Sequence, residues 1–260
     1  MSRKKTRQHR KKQGYDHYSE DSVVIDLHPG SHTSHSPAPT PKHPQKIQAK
    51  NQAQRQFMAA IKAHTLIFGL GPAGTGKSYC TAAMAAESLT SGDVDRIIFT
   101  RPAVETGNSL GFLPGRLDEK FDPYFSAFRS CLVSHAGKGV VDCAVMMGNI
   151  AVEPLSYMRG KTFNRCFVVL DEAQKCTPEE MKMFMTRIGR RSPVVVNGDL
   201  SQSDLEGYSG LHHAIARVSD VRGVHVHAFN YRDIVRSDIV RDIIMSYEKT
   251  NPYEREYGGT

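Results

Sequence analysis

One stretch limits the folds open to this chain more than any other: Gly71-Pro72-Ala73-Gly74-Thr75-Gly76-Lys77-Ser78. Three glycines and a proline within eight positions suit neither a helix interior nor a strand, since glycine costs a helix about 1 kcal/mol relative to alanine and proline about 3. The flanks, by contrast, are regular. Thr65-Leu66-Ile67-Phe68 is a short apolar, β-prone run, and Thr81-Ala82-Ala83-Met84-Ala85-Ala86 is good helix material. The expectation is a strand, a tight glycine turn and a helix. In that setting the spacing G-x-x-x-x-G-K-Ser/Thr is a P-loop, which wraps backbone N–H groups around a phosphate. Glycine is needed where a side chain would collide with the anion, and a helix starting near Lys77 points its positive end at the same charge. Lys77 is then expected to reach the β and γ phosphates and the Ser78 hydroxyl to hold Mg²⁺. The backbone from Gly71 through Pro72, Ala73, Gly74, Thr75 and Gly76 forms the cradle.

Beyond the loop the text alternates. A helix is expected at 47–63, where Ile47, Phe57, Met58 and Ile61 share a face. Strand 65–69 leads to helix 77–90, and strand 95–100 leads to a Gly/Pro-rich loop and a helix at 118–134. Residues 139–160 read as short strands or a hairpin around CAVMMG and IAVEP. Strand 165–170 precedes helix 178–189, strand 193–197 precedes helix 210–219, and strand 224–229 precedes helix 236–248. Uniformly apolar strands such as FVVL and PVVV suit a parallel sheet covered on both faces. The fold class is α/β, a doubly wound, mainly parallel sheet in one domain spanning 46–250.

A phosphate cradle needs a partner that places metal and water. The apolar strand at 165–170 ends in Asp171-Glu172-Ala173-Gln174, at the edge that faces the nucleotide crevice in such sheets. Asp171 is expected to hold Mg²⁺ through water and Glu172 to act as general base on the attacking water. The competing role, capping a helix, is already filled by Thr177-Pro178-Glu179-Glu180. A third strand ends in Gly198-Asp199-Leu200-Ser201-Gln202-Ser203-Asp204, a form that suits a γ-phosphate sensor built on Asp199 or Gln202 and equally suits a plain turn.

Charge is concentrated at one end. Residues 1–12, MSRKKTRQHRKK, hold seven of the 34 Lys and Arg residues and no acid, so the rest of the chain carries 27 of each sign. Such a segment can neutralise phosphates of a nucleic acid or serve only as a solvated end. Through about residue 45 the composition is basic and Pro/Ser/His-rich, too poor in apolar residues to offset chain entropy, and disorder is expected there; 251–260 is expected to be flexible. Five cysteines, odd in number and without a C-x-x-C pair, read as reduced thiols, mostly buried. Twelve histidines show no ligand spacing and are expected to be ordinary. No run of 18 apolar residues or signal-peptide pattern occurs, so the expectation is a cytoplasmic protein without membrane contact.

Six segments in order resemble the PhoH-like ATPases: GPAGTGKS (71–78), RPAVETGNSLGFLPG (101–115), LSYMRGKTF (155–163), VVLDEAQ (168–174), MTRIGRRSPVVVNGDLSQSDL (185–205) and DIVRSDIV (233–240). The resemblance spans about 47–248. It implies a RecA-like P-loop NTPase core related to the nucleotide-binding half of superfamily 1 helicases, with ATP and Mg²⁺ as cofactors. It also implies that Gln54 reads the adenine edge, that Asp171 and Glu172 are the metal and water-activating pair, and that Gly198, Asp199 and Gln202 form the sensor. Arg236 is similar to an arginine that stabilises the transferred phosphoryl group, with Arg232 and Arg187 as weaker candidates. Two positions depart from the family's usual text. Lys175 stands where asparagine is common, and Ser237 where histidine is. Both lie outside the core chemistry.

Arg101 follows a strand end, and its loop suits contact with a nucleic-acid strand or a neighbouring subunit, or simple packing. Three functional classes stay open: an ATPase acting on RNA or single-stranded DNA, a nucleotide-switched binding or assembly protein with slow hydrolysis, and a small-molecule kinase. The kinase is disfavoured because Glu172 is poised for water and no arginine-rich lid is evident. Superfamily 1 helicases work a cleft between two such domains, and this chain has room for one. Motor action would therefore need a homo-oligomer, a hexameric ring being one form, with the arginine finger supplied across an interface. A short PhoH-like core with a basic tail fits a bacterial or, by preference, a bacteriophage genome.

Overall fold

The computed structural model describes residues 48–102, 117–202 and 209–249. The expected disordered segment at 1–45, the C-terminal 251–260, most of the loop that follows Arg101, and Ser203 and Asp204 lie outside the described residues.

The first helix, α1 (Gln52–Ala63), starts where the Asn51 side chain accepts from the Gln54 backbone N–H, and it buries Phe57, Ala60 and Ile61 on one face. β1 (Leu66–Leu70) is buried at every position. It runs into the glycine loop and then α2 (Lys77–Thr90), whose alanines let it lie close on the sheet. β2 (Arg96–Thr100), α3 (Leu117–Ala136), α4 (Lys138–Met146) and β3 (Ile150–Val152) follow. Then come β4 (Cys166–Leu170), α5 (Pro178–Met185), β5 (Val194–Gly198), α6 (Gly210–Val218), β6 (Val224–Ala228) and α7 (Asp238–Lys249).

The strands form one six-stranded sheet in the order β3-β2-β4-β5-β1-β6, and each recorded pairing is parallel. Strand side chains alternate between two apolar layers. Ile67, Ile97, Phe99, Phe167, Val169 and Val195 pack with α1 to α4 on one face. Phe68, Ile98, Val168, Leu170, Val194 and Val196 pack with α5 and α6 on the other. Burial on both faces is why these strands read as unbroken apolar runs. The α/β doubly wound parallel sheet is thus the architecture, with strand-to-helix turns gathered at the carboxyl ends of the strands.

One expectation fails. Residues 139–160 do not form a hairpin: CAVMMG lies in α4 and its end, and only Ile150–Val152 is a strand, parallel to β2 at the sheet edge. Val141 and Ala144, three apart, bury one side of this helix against α3, a helical spacing hidden inside a run of β-prone residues. Gly137 and Gly148, with φ of 86° and 73°, bracket it. α5 also stops at Met185 rather than 189, because the chain beyond it turns to pair with the segment ahead of β4, Phe163 N donating to Arg187 O and Arg165 N to Arg190 O.

The five cysteines are free, and three are buried. His225 stacks on His64, and His227 packs between Phe57 and Phe229. Among the described residues no group of three or more His, Cys, Asp or Glu is arranged to hold a metal ion, and no helix is long and apolar enough to cross a membrane.

Candidate functional site

Two walls of different construction face each other at the carboxyl ends of β1, β4 and β5. The first is the glycine loop. At Gly71, φ is 129° and an added Cβ would lie 2.4 Å from the Phe229 carbonyl oxygen, so backbone packs against backbone with no space for a side chain. At Gly76, φ is 91° and a Cβ would meet the Gln54 amide nitrogen at 2.5 Å. Lys77 folds back over the loop, its Nζ donating to Gly71 O at 2.5 Å and Pro72 O at 2.9 Å. Thr75 Oγ1 also donates to Pro72 O, and Val235 N donates to Gly74 O. Burial pulls the Lys77 ammonium below its ordinary value, while Asp199, Asp171 and Glu172 hold it up.

The second wall is acidic. Asp171 follows β4, its N–H donating to Thr100 O of β2, and its Oδ1 accepts from the Ser78 hydroxyl at 3.3 Å. Removal from water raises the Asp171 carboxyl above the usual carboxylate range and the Glu172 charge raises it further, against Arg101, Ser78 and Lys77. Glu172 sits in left-handed backbone, φ 56° and ψ 40°, a strained conformation for a residue with a side chain. Its Oε2 accepts from Gln174 Nε2 at 2.7 Å, and its Oε1 lies 3.4 Å from an Arg101 guanidinium nitrogen. The other end of Gln174 accepts from the Asp199 backbone N–H at 3.1 Å, tying the end of β4 to the end of β5. There Asp199 Oδ1 accepts from Ser201 twice, while the buried Asp199 Oδ2 and Asn197 Oδ1 have no partner among the described residues.

Between the walls lies a cavity of about 420 Å³. Gln54, Ala73, Gly74, Gly76, Lys77, Ser78, Asp171, Glu172, Asp199, Gln202 and Arg236 line it. Gly71, Pro72 and Thr75 stand behind the lining as the body of the loop. Arg236 and Gln202 are exposed at the rim. Arg187 is tied instead to Met183 O and Thr186 Oγ1 at the end of α5, and Arg232 is exposed in a turn capped by Asn230. The Ser78 hydroxyl and Asp171 carboxylate, 3.3 Å apart, are hard oxygen donors of the kind that would hold a divalent cation.

The sequence profile of the PhoH-like protein family matches residues 46–248. This chain belongs to the PhoH-like family. The PhoH-like protein of Mycobacterium tuberculosis H37Rv is 45% identical over 205 residues, which are 78% of this chain and 58% of that protein. The PhoH-like protein of Bacillus subtilis is 44% identical over 207 residues, 79% of this chain and 65% of its own length. Protein PhoH of Escherichia coli K12 is 42% identical over 205 residues, 77% of this chain and 58% of that protein. The PhoH-like chain therefore matches less than two thirds of those relatives' length.

Gln54 lines the cavity and also supports the loop in this PhoH-like fold. It is fully buried, Nε2 donating to Thr75 O at 2.9 Å and Oε1 accepting from Lys50 N at 2.9 Å, so its amide braces the loop from below. Sequence reasoning missed Gln174 and Asn197 as site residues and placed Arg101 with an outer loop. The signal for Gln174 was present, in the fourth position after the apolar strand. For Asn197 and Arg101 only the parallel register reveals the proximity.

Proposed function

We propose that this PhoH-like chain binds ATP and hydrolyses it with Mg²⁺, in a reaction coupled to RNA or single-stranded DNA and carried out by a homo-oligomer. The observation that carries the reading is the convergence of Lys77, Ser78, Asp171, Glu172 and Asp199 on one cavity, although they come from three separate strand ends. Backbone donors of the loop and the start of α2 hold the β and γ phosphates. The Lys77 ammonium exchanges its two loop carbonyls for phosphate oxygens, a stronger charge-assisted pairing. Ser78 and Asp171 would hold Mg²⁺, which when bound would neutralise charge building on the transferred group. Glu172 takes the proton from the attacking water, and Gln174 fixes its carboxylate for that role. Asp199 and Gln202 sense the γ-phosphate, and Gln54 offers its remaining amide hydrogen toward the base.

Arg236, exposed beside Gly74, is the arginine that reaches the phosphoryl group, within one subunit or across to the next. The free thiols fit the reducing cytoplasm as its location.

The test is ATP turnover by purified protein with RNA, single-stranded DNA, duplex or nothing added, beside Lys77→Ala and Glu172→Gln. Turnover stimulated by single strands and lost in both variants is the expected result. Nucleotide binding without turnover would overturn hydrolysis and leave the switch reading in its place. Light scattering with and without ATP tests assembly, and a strict monomer in both states would remove the oligomer.

A further inference from the structure

We infer that Arg101 is a positioning residue for the water-activating carboxylate of Glu172. The inference rests on the hydrolytic reading above and names a part of that site which neither the loop nor the acidic strand end announces. Arg101 leaves the end of β2, the strand beside β4, and the Thr100-to-Asp171 backbone hydrogen bond sets the two strand ends level. At that level Glu172 sits in left-handed backbone, φ 56° and ψ 40°, just after β4. A carboxylate on a strained turn has several rotamers open to it. Two opposed contacts restrict it: Gln174 Nε2 at 2.7 Å on Oε2, anchored to β5 through the Asp199 N–H, and the Arg101 guanidinium at 3.4 Å on Oε1 from the β2 side. The base is therefore held between the strands that flank β4.

The Arg101 side chain is only 19% exposed and the Glu172 side chain 33%, so the pair works in a poorly solvated setting where a guanidinium orients a carboxylate more firmly than at a free surface. Glu172 accepts a proton only along a defined direction, and a misplacement of about 1 Å costs on the order of 100-fold in rate. Arg101 is absent from the cavity lining. It acts through Glu172, and its removal is expected to lower kcat while leaving nucleotide affinity intact.

The experiment is steady-state ATP turnover by wild type, Arg101→Ala, Arg101→Lys, Glu172→Gln and the double variant Arg101→Ala/Glu172→Gln, with thermal melts of each. Arg101→Ala is expected to lose about 10- to 100-fold in kcat with KM for ATP changed less than about threefold, since misorientation of a general base forfeits part of its contribution. Arg101→Lys, which keeps the charge but not the planar guanidinium, recovers part of the loss. In the Glu172→Gln background, Arg101→Ala costs less than about twofold, because two residues acting as one unit are not additive. A wild-type or higher kcat in Arg101→Ala overturns the inference, and so does a full additive loss in the double variant. If Arg101→Ala melts too early to assay, Arg101→Lys decides: kcat between wild type and Glu172→Gln at unchanged KM supports positioning, and wild-type kcat refutes it. Active wild type, inactive Glu172→Gln and normal Arg101 variants would sink this inference alone, whereas wild type without turnover takes the hydrolytic reading down with it.

Discussion

The two walls of the cavity are built on opposite principles. In the glycine loop the side-chain polar groups are satisfied internally: Lys77 by Gly71 O and Pro72 O, Thr75 by Pro72 O, and Gln54 by Thr75 O and Lys50 N. The acidic wall keeps open valences, with Asp199 Oδ2 and Asn197 Oδ1 buried and unpartnered among the described residues, the Asp171 carboxyl raised above the usual carboxylate range by burial, and Glu172 on strained backbone. A buried oxygen left without a donor costs about 1 to 3 kcal/mol. The loop thus stands as a finished scaffold, and the acids carry a cost that a bound cation and phosphate would relieve. Stability resides in one wall and reactivity in the other.

Lys77→Ala is the change that should break this division most completely, because the Lys77 ammonium, anchored in the loop, is the cation whose charge the three carboxylates of the other wall feel. Turnover is expected to fall about 10³-fold or more, the scale of losing a charge aimed at the developing phosphoryl charge; a melt within a few degrees of wild type would show that the wall itself survives. Gly71→Ala strikes the scaffold. With φ at 129° and a backbone oxygen 2.4 Å from the new Cβ, it should lose about 2 to 3 kcal/mol of stability, read by chemical denaturation.

Asp171→Asn sharpens the comparison in the other direction. Burial raises the Asp171 pKa in the fold, so between the ordinary aspartate value of about 3.9 and the higher folded value the native state binds more protons than the unfolded one. Stability attached to this group is therefore present at low pH and lost as pH rises through that window. Without metal or nucleotide, Asp171→Asn should melt above wild type at neutral pH and match it at acid pH, while its turnover is abolished. Smallest of all is Glu87→Ala, which removes an exposed partner of Lys62 far from both walls; it should change stability by less than about 0.5 kcal/mol.

The same contrast explains what could be read from the residues in advance. The loop is eight consecutive positions whose composition states its own backbone, so strand, turn and helix fell where expected. Asp171 and Glu172 were legible because an apolar strand ended on them. Asn197 and Arg101 enter through the parallel register of β2, β4 and β5, in which Thr100 pairs with Leu170 and Leu170 with Val196, partners too distant in sequence to leave a local trace. α4 was misread because Val140, Val141, Ala144, Val145 and their neighbours favour a strand locally, while packing against α3 selects the helix. Gln54 is named by resemblance as an adenine contact, and its amide also braces the loop, a role visible only once Thr75 O lies 2.9 Å away.

The most direct test of the central claim, that a phosphate cradle and a water-activating acid serve one ligand, is Glu172→Gln assayed for ATP binding and ATP turnover in the same preparation. The account predicts binding within a few-fold of wild type and turnover reduced about 10²- to 10⁴-fold, the range of a general base. Turnover at the wild-type rate in Glu172→Gln would contradict it.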